Sequence, residues 1–250
     1  MKLKYFLPLL SLYFCLVFGT SESFSEKKEL ELSSSQVKKN LEMMLPQSVE
    51  ILSVEEADIF GYFEVHFKNM EPLYISKDGK YLFTGDIYEI TNEGLINRSE
   101  TRRNFLRKTA INQLDKSEFI TFQPKNVLHS VFVFTDVDCG YCRQFHKQIT
   151  DYLELGIQIN YLAFPREGLD SNSFNKTVSA WCSSEPNKAI TELKLGYEIE
   201  EKNCPNNPVE KHFNLGNSLG VSGTPSIITS GGRLIPGYLP PKDLIELLNS

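Results

Sequence analysis

The pattern of hydrophobic and polar positions changes along the first third of the chain. Residues 25–45 combine a polar leader with a short stretch whose apolar positions recur at helical spacing. From residue 49 to residue 90, apolar and polar side chains alternate instead, as in FEVHF at residues 63–67, which is typical of half-buried strands. The segment KDG at residues 77–79 separates two apolar stretches and indicates a hairpin turn. We therefore predict a small β-rich N-terminal module.

A charged pattern follows at residues 98–117. The few apolar side chains there form a narrow stripe, so we expect a solvated helix. About 20 helical residues would reach about 30 Å, which is long enough to separate two domains. These boundaries predict an N-terminal domain at residues 24–96, a linker helix at residues 97–118 and a second domain at residues 119–250.

The second domain alternates between strand and helix patterns. The run VFVF at residues 131–134 predicts a buried strand, and residues 142–155 have the apolar spacing of a helix that Gly156 would end. Further strands are predicted at residues 157–163 and around Gly231-Gly232, and further helices near residues 172–183, 187–195, 208–219 and 241–249. This order indicates an α/β domain with a mixed sheet.

The N-terminus has the three parts of a secretory signal. A basic start, MKLK, is followed by an apolar run to Gly19 and by the small polar stretch TSES. A membrane anchor is the alternative, but the run is shorter than the roughly 20 residues that a span needs. We therefore expect a removable signal at residues 1–23, cleaved between residues 19 and 23.

Charge and composition narrow the class of function. The chain has 250 residues, 41% hydrophobic and 23% charged, as in ordinary globular proteins. Its net charge is −6, whereas a nucleic-acid binder needs a basic surface, so we expect no nucleic-acid partner. His66, His129 and His212 show no metal-ligand spacing, and we expect no metal.

Cysteine usage points to redox chemistry. The five cysteines are Cys15, Cys139, Cys142, Cys182 and Cys204. Cys15 lies in the predicted signal and is expected to be removed with it. Four cysteines then remain in an oxidising compartment, where disulfides persist.

Cys139 and Cys142 form the motif CGYC between a buried strand and a predicted helix. Unpaired N–H groups and the helix dipole stabilise a thiolate at a helix N-terminus, so Cys139 is the predicted nucleophile. Cys142, one turn further on, can resolve a mixed disulfide by attacking Cys139. Half of a zinc site and an inert structural disulfide are the alternatives. Zinc needs a second closely spaced pair, and Cys182 and Cys204 are far apart in sequence.

The neighbours of the pair are expected to tune it. Asp138 would raise the pKa of Cys139, whereas Arg143 and a protonated His146 would lower it. The other interpretation of His146 is a partly exposed surface histidine.

Cys182 and Cys204 lack the helix-start context of CGYC. We interpret them as a structural disulfide, worth roughly 3 kcal/mol in the chain-entropy model. A second redox pair is the alternative. Four cysteines allow three pairings, and the adjacency within CGYC favours 139–142 with 182–204.

Several longer segments are informative together. They are FTDVDCGYCRQFHKQI, YLAFPREGLDS, AWC, GVSGTPSIITSGG and LIPGYLPPKDL, with LYISKDGKYLFTGDIYEI in the first domain. These segments strongly resemble the DsbC family of periplasmic disulfide isomerases of Gram-negative bacteria. CGYC and the Thr-Pro pair favour DsbC over its relative DsbG.

The resemblance implies an α/β (α+β) fold in which a linker helix joins a thioredoxin-like catalytic domain to an N-terminal dimerisation domain. It further implies a V-shaped homodimer whose uncharged cleft holds misfolded disulfide-containing proteins, and a DsbD-type membrane reductase that restores the dithiol. No metal or organic cofactor is implied.

Site residues follow from the same resemblance. It implies that Pro225 is cis and lies beside CGYC, and that Thr224 presents its backbone to a bound peptide, with Gly140 and Tyr141 at the same substrate site. Arg143 departs from the family, which often has histidine there, and Asp138 is also unusual. The thiol pKa and redox poise therefore do not transfer from the family, while the reaction class does.

The sequence thus predicts a periplasmic protein-disulfide isomerase that works through Cys139 and Cys142. The alternatives on the same fold are a thiol oxidase and a DsbG-like reductase or chaperone. Two alternatives from other classes are a chaperone whose CGYC pair is only structural and a zinc-binding protein.

Overall fold

A computed structural model describes residues 31–68 and 70–250. The predicted signal at residues 1–23, its cleavage position and Cys15 lie outside the described residues. Within the described part of the chain, no helix is long and apolar enough to cross a membrane.

The N-terminal half is a helix on an antiparallel sheet. Helix α1 (Ser34–Met44) begins at Ser33, whose hydroxyl and the Gln36 side chain form a capping box. The described strands β1 (Ile51–Glu56), β2 (Tyr62–Phe67), β3 (Met70–Ser76) and β4 (Leu82–Phe83) pair in that order. Val37 and Leu41 of α1 pack against Phe63 and Val65 of β2, and this burial makes the predicted β-rich module a small core of its own.

A separate hairpin leads into the second helix. Strands β5 (Tyr88–Thr91) and β6 (Gly94–Asn97) pair only with each other among the described residues. Helix α2 (Arg98–Asn112) follows at once, and the side chain of Asn97 caps its N-terminus.

Helix α2 is shorter and less solvated than its sequence pattern predicts. It has 15 residues, and Arg107 and Ile111 are buried. The Arg107 guanidinium donates to the carbonyl oxygen of Leu219 (Nε–O 3.0 Å), far along the chain. The prediction of a solvated helix is therefore wrong for one side of α2, because that side packs against the second half of the protein.

Residues 116–250 form a mixed sheet covered by helices. The strands are β7 (Ile120–Phe122), β8 (His129–Thr135), β9 (Ile157–Ala163), β10 (Ser226–Thr229) and β11 (Leu234–Pro236). Their order in the sheet is β11–β10–β8–β9–β7, in which β8 and β9 are parallel and the other pairs antiparallel. The helices are α3 (Gly140–Lys147), α4 (Ile149–Glu154), α5 (Asn172–Trp181), α6 (Pro186–Leu195), α7 (Val209–Ser218) and α8 (Pro241–Asn249), with a short 3-10 helix at Lys116–Glu118.

Two local differences from the sequence prediction concern the helix after β8. The predicted helix at residues 142–155 begins earlier, at Gly140, and is divided into α3 and α4 at Gln148. Its early start makes Cys139 the N-cap residue of α3. The thiol pair therefore lies at the carboxyl end of β8, the central strand of the sheet.

Candidate active site

Cys139 and Cys142 both carry free thiols and are buried. Cys139 is the N-cap residue of α3. A capping serine would accept a hydrogen bond from the helix backbone, but the Cys139 side chain makes no such bond. The thiol and the backbone N–H of Cys142, one helical turn further on, favour the charged form of the Cys139 sulfur. The N-terminus of α3 thus lies beside the reactive sulfur.

These donors lower the pKa of Cys139 to about 5. The hydrogen bond from the Cys142 thiol is the largest cause, and burial opposes it. The side chain of Thr224, the backbone N–H of Cys142 and the positive charge of Arg166 favour the thiolate further. Cys139 is therefore mainly a thiolate at neutral pH.

The pKa of Cys142 is shifted in the opposite direction. Burial, together with the hydrogen bond that its S–H donates to Cys139, raises its pKa far above that of an ordinary cysteine. The charge of Lys194 and the backbone of Asp136 partly offset this rise. The pair therefore holds one thiolate and one thiol.

The loop that precedes β10 completes the site. The Thr224–Pro225 peptide bond is cis, as the family resemblance implies. In its thiol form, Cys139 donates to the carbonyl oxygen of Thr224 at 3.2 Å. The fold thus brings Thr224 and Pro225 to the thiol pair from more than 80 positions away.

Two of the expected tuning residues bind each other. A guanidinium nitrogen of Arg143 lies 3.1 Å from a carboxylate oxygen of Asp138, and the ammonium of Lys176 lies 3.0 Å from the other oxygen. Arg143 also donates to the carbonyl oxygen of Val137. The negative charge of Asp138 is therefore balanced by two cations beside it.

His146 differs from both sequence interpretations. It is 4% exposed, and its ring nitrogens bond to the hydroxyls of Tyr161 (3.1 Å) and Thr191 (2.9 Å). Burial lowers its pKa to about 4, so the ring is neutral at pH 7. It is neither a partly exposed surface residue nor a cation that lowers the pKa of Cys139.

The cation that does act on Cys139 is Arg166, which the sequence analysis missed. Its backbone N–H and its guanidinium both donate to the buried carboxylate of Asp136, at 3.1 and 3.0 Å. The signal for this pair was available: Asp136 follows β8, Arg166 follows β9, and parallel neighbours meet at their carboxyl ends.

Several donors keep Asp136 ionised. Burial alone would raise its pKa, but hydrogen bonds from the Ser173 hydroxyl and from the backbone N–H groups of Arg166 and Asp138 hold the pKa below its ordinary value. Asp136 is therefore a fixed negative charge that holds Arg166 beside the thiols.

Cys182 and Cys204 form a disulfide with Cα atoms 5.6 Å apart. It joins the end of α5 to the segment before α7, as expected for a bridge that ties down the inserted helices. Among the residues that the structure describes, no three His, Cys, Asp or Glu side chains form a group that could hold a metal ion.

Comparison with known proteins decides the family. A model of the thioredoxin-like domain matches residues 116–250, and a model of the disulfide bond isomerase protein N-terminal domain matches residues 26–100. The thiol:disulfide interchange protein DsbC of Escherichia coli strain K12 is 39% identical over 181 residues, which are 72% of this chain and 74% of that protein. The chain belongs to the DsbC family.

Other relatives agree with this DsbC-family assignment. DsbC of Haemophilus influenzae is 42% identical over 178 residues, which are 70% of this chain and 74% of that protein. The crystal structure of Proteus mirabilis ScsC in a transitional conformation superposes with a TM-score of 0.50 at 16% identity, covering 60% of this chain and 79% of that one, and it supports the fold alone. The predicted fold class and the enzyme class, a thiol:disulfide interchange protein, are confirmed.

Proposed function

We propose that this DsbC-family enzyme is a protein-disulfide isomerase with Cys139 as its nucleophile and Cys142 as its resolving thiol. The observation that carries the proposal is the division of labour within the pair, a thiolate at Cys139 beside a protonated, deeply buried Cys142. The low pKa of Cys139 makes it both a ready nucleophile and a good leaving group.

The reaction begins when the Cys139 thiolate attacks one sulfur of a wrong substrate disulfide. A mixed disulfide forms, and the other substrate sulfur leaves as a thiolate. In isomerisation this thiolate attacks a different substrate disulfide, and Cys139 is finally released as the thiolate. In reduction, Cys142 loses its proton and attacks Cys139, so two electrons pass to the substrate and the enzyme keeps a Cys139–Cys142 disulfide.

The substrate site that we propose surrounds the Cys139 sulfur. Thr224 and Pro225 bound it on one side, and Thr224 offers main-chain groups to an extended peptide. Main-chain hydrogen bonds carry little sequence information, which suits an enzyme with varied substrates. Gly140 has open space around its Cα, and Tyr141 is 69% exposed, so both can contact a bound chain.

We propose that two chains form a homodimer through the N-terminal half. The β5–β6 hairpin supports this, because Ile90 and Leu95 lie directly opposite each other in the pairing and are 85% and 68% exposed. A contiguous exposed apolar pair is typical of an interaction surface. The proposed units are the dimerisation domain at residues 24–96, the linker at residues 97–118 and the catalytic domain at residues 119–250.

The proposed location is the periplasm, reached through the signal at residues 1–23. A dithiol enzyme in an oxidising compartment needs an electron source, so we propose a DsbD-type membrane reductase as the partner that restores Cys139 and Cys142. Misfolded disulfide-containing proteins are the proposed substrates, with chaperone-like binding beside the isomerase activity.

Refolding of a scrambled multi-disulfide protein tests the proposal. The reduced enzyme should restore the substrate's activity without net consumption of reductant, and Cys139→Ser should abolish this rescue. Rescue that persists in Cys139→Ser would indicate pure chaperone action. Rescue that requires a stoichiometric supply of reductant would indicate a DsbG-like reductase. Net formation of disulfides in a fully reduced substrate would indicate a thiol oxidase.

A further inference from the structure

Lys194 of α6 is a buried lysine that the mechanism above does not use. It is 2% exposed. Its ammonium donates to the hydroxyl of Thr135 (Nζ–Oγ1 2.5 Å) and to the carbonyl oxygen of Asp136 (Nζ–O 2.9 Å). Both acceptors lie at the carboxyl end of β8, in the segment that leads to Cys139 and α3. The lysine therefore binds the chain three residues before the first cysteine of the pair.

No carboxylate pairs with this ammonium among the described residues, since its two hydrogen-bond acceptors are neutral oxygens. The ring of Tyr161, centred 5.8 Å away, offers a further weak attraction. A buried cation that lacks an anionic partner is destabilising. An anion that forms beside such a cation during the reaction would reduce this cost.

Cys142 is where that anion forms. The backbone of Asp136 lowers the pKa of Cys142, and the carbonyl oxygen of the same residue accepts a hydrogen bond from Lys194. Helices α3 and α6 pack against each other, and Cys142 of α3 and Lys194 of α6 are 1% and 2% exposed. Of the charges around Cys142, Lys194 is the one that lowers its pKa against the large rise caused by burial.

The other charged groups around Lys194 have defined effects. Burial lowers the pKa of Lys194, negative charge on Cys142, Asp136 or Cys139 raises it, and Arg143 lowers it. His146, which is buried on α3 together with Cys142, is neutral at pH 7 because its pKa is lowered to about 4. A thiolate at Cys142 and an ammonium at Lys194 therefore stabilise each other.

We propose that Lys194 is the buried cation that stabilises the Cys142 thiolate and so sets the rate at which the mixed disulfide is resolved. In this step Cys142 gives its proton to water and attacks Cys139. The Cys139–substrate S–S bond breaks, and the substrate sulfur leaves as a thiolate. The inference rests on the proposed roles of Cys139 and Cys142.

The consequence concerns the choice between the two outcomes of the mixed disulfide. Rapid attack by Cys142 ends in reduction of the substrate, whereas slow attack leaves time for a substrate thiolate to rearrange the disulfides. Lys194 therefore biases the enzyme towards reductive release of substrates that fail to rearrange.

Reaction of the reduced protein with dithiobis-nitrobenzoate separates the two thiols. The first coloured thiolate is released when Cys139 attacks the reagent, and the second when Cys142 attacks the mixed disulfide. Both phases are followed by rapid mixing across a range of pH. The variants are Lys194→Met, which keeps the length of the side chain, and Lys194→Gln, which keeps a hydrogen-bond donor without the charge. Lys188→Met, an exposed lysine of the same helix, is the matched control.

We expect both Lys194 variants to slow the second phase at least tenfold near neutral pH, and to shift its pH midpoint upward. The first phase should stay within about twofold of the original protein, and Lys188→Met should change neither phase. A second phase with unchanged rate and midpoint in either folded variant would overturn the role of Lys194. A first phase missing from the original protein would instead overturn the proposed nucleophile. If Lys194→Met does not fold, Lys194→Gln decides.

Discussion

The guanidinium of Arg166 is fixed by the carboxylate of Asp136, through an Nε–Oδ2 distance of 3.0 Å and a second bond from the Arg166 backbone N–H to the same oxygen. Asp136 is 1% exposed, whereas Arg166 is exposed. A buried anion therefore holds a surface cation next to Cys139, where its charge favours the thiolate.

Asp136→Asn tests this relationship. The change removes the charge that holds Arg166 and weakens the hydrogen bonds from Ser173 and from the Asp138 N–H. We expect a loss of about 2 to 3 kcal/mol in the free energy of unfolding, as for hydrogen bonds to a charged group, and a higher pKa of Cys139. Urea unfolding and the pH dependence of Cys139 alkylation measure the two effects.

The control for Asp136→Asn is Asp170→Asn, the same chemical change at an exposed position further along the chain. It should leave both quantities unchanged. If Asp136→Asn lowers stability but leaves the pKa of Cys139 where it was, then Arg166 does not act on the thiolate through this pair.

The thiol of Cys142 is the principal donor to the Cys139 thiolate, so its removal has a defined effect. The ultraviolet absorbance of the thiolate should titrate with a pKa of about 5 in the reduced protein. Cys142→Ala should raise this pKa by more than one unit, whereas Cys142→Ser, which keeps a donor, should raise it less. Equal pKa values in the two variants would show that a side-chain donor at residue 142 does not stabilise the thiolate.

His146 and acid stability are linked through its lowered pKa. Its folded-state pKa of about 4 lies below the ordinary value of 6.5, so in that interval the unfolded chain binds a proton that the folded protein does not. Stability is therefore fully present above pH 6.5 and falls as the pH is lowered through this window. The loss is on the order of 3 to 4 kcal/mol, since each unit of pKa shift corresponds to about 1.4 kcal/mol.

His146→Gln should flatten the dependence of the unfolding free energy on pH between about 4 and 6.5, while Cys139 alkylation at pH 7 stays the same. His129→Gln, at a less buried position, serves as the control. Urea unfolding at several pH values measures the slopes. The interpretation fails if the slope with glutamine at residue 146 equals that of the original protein.

The sequence was a good guide wherever the determining interactions are local. CGYC can be located because a buried strand run, two cysteines and a helix pattern are adjacent in the chain. The alternation at residues 63–67 identifies β2 because one face of that strand packs on α1. The missed strand β7 has three residues, too few to show a period.

The neighbours that tune the site could not be found in this way. The sequence left His146 as either a charged neighbour of the thiols or a partly exposed residue, whereas Thr191 of α6 and Tyr161 of β9 bind its ring in the interior. Lys194 has the sequence context of an ordinary helix lysine, and it is buried because α6 packs against α3 and against the end of β8. Contacts between elements that are distant in sequence determine the surroundings of both residues, so the local sequence pattern does not reveal them.

The approach of α2 to the second half of the chain gives a further prediction. A Cβ atom at Gly232 would lie 1.8 Å from the backbone oxygen of Asn104, and its φ is +92°. Gly168 has the same φ with open space around it, so it isolates the backbone strain. We expect Gly168→Ala to destabilise by about 1 kcal/mol and Gly232→Ala by at least about 2 kcal/mol more. Equal losses in urea unfolding would contradict the close packing of α2.

The hairpin β5–β6 leads to the last prediction, which concerns oligomeric state. Ile90 and Leu95 form one exposed apolar pair, so Ile90→Glu with Leu95→Glu places two like charges on the proposed interface. Sedimentation should change from dimer to monomer, and the scrambled-disulfide rescue should fall sharply while alkylation of Cys139 is unchanged. Tyr197→Glu, at an aromatic position in the catalytic half that is 64% exposed, should remain dimeric. A double variant that stays dimeric would show that the two chains do not contact each other through this hairpin.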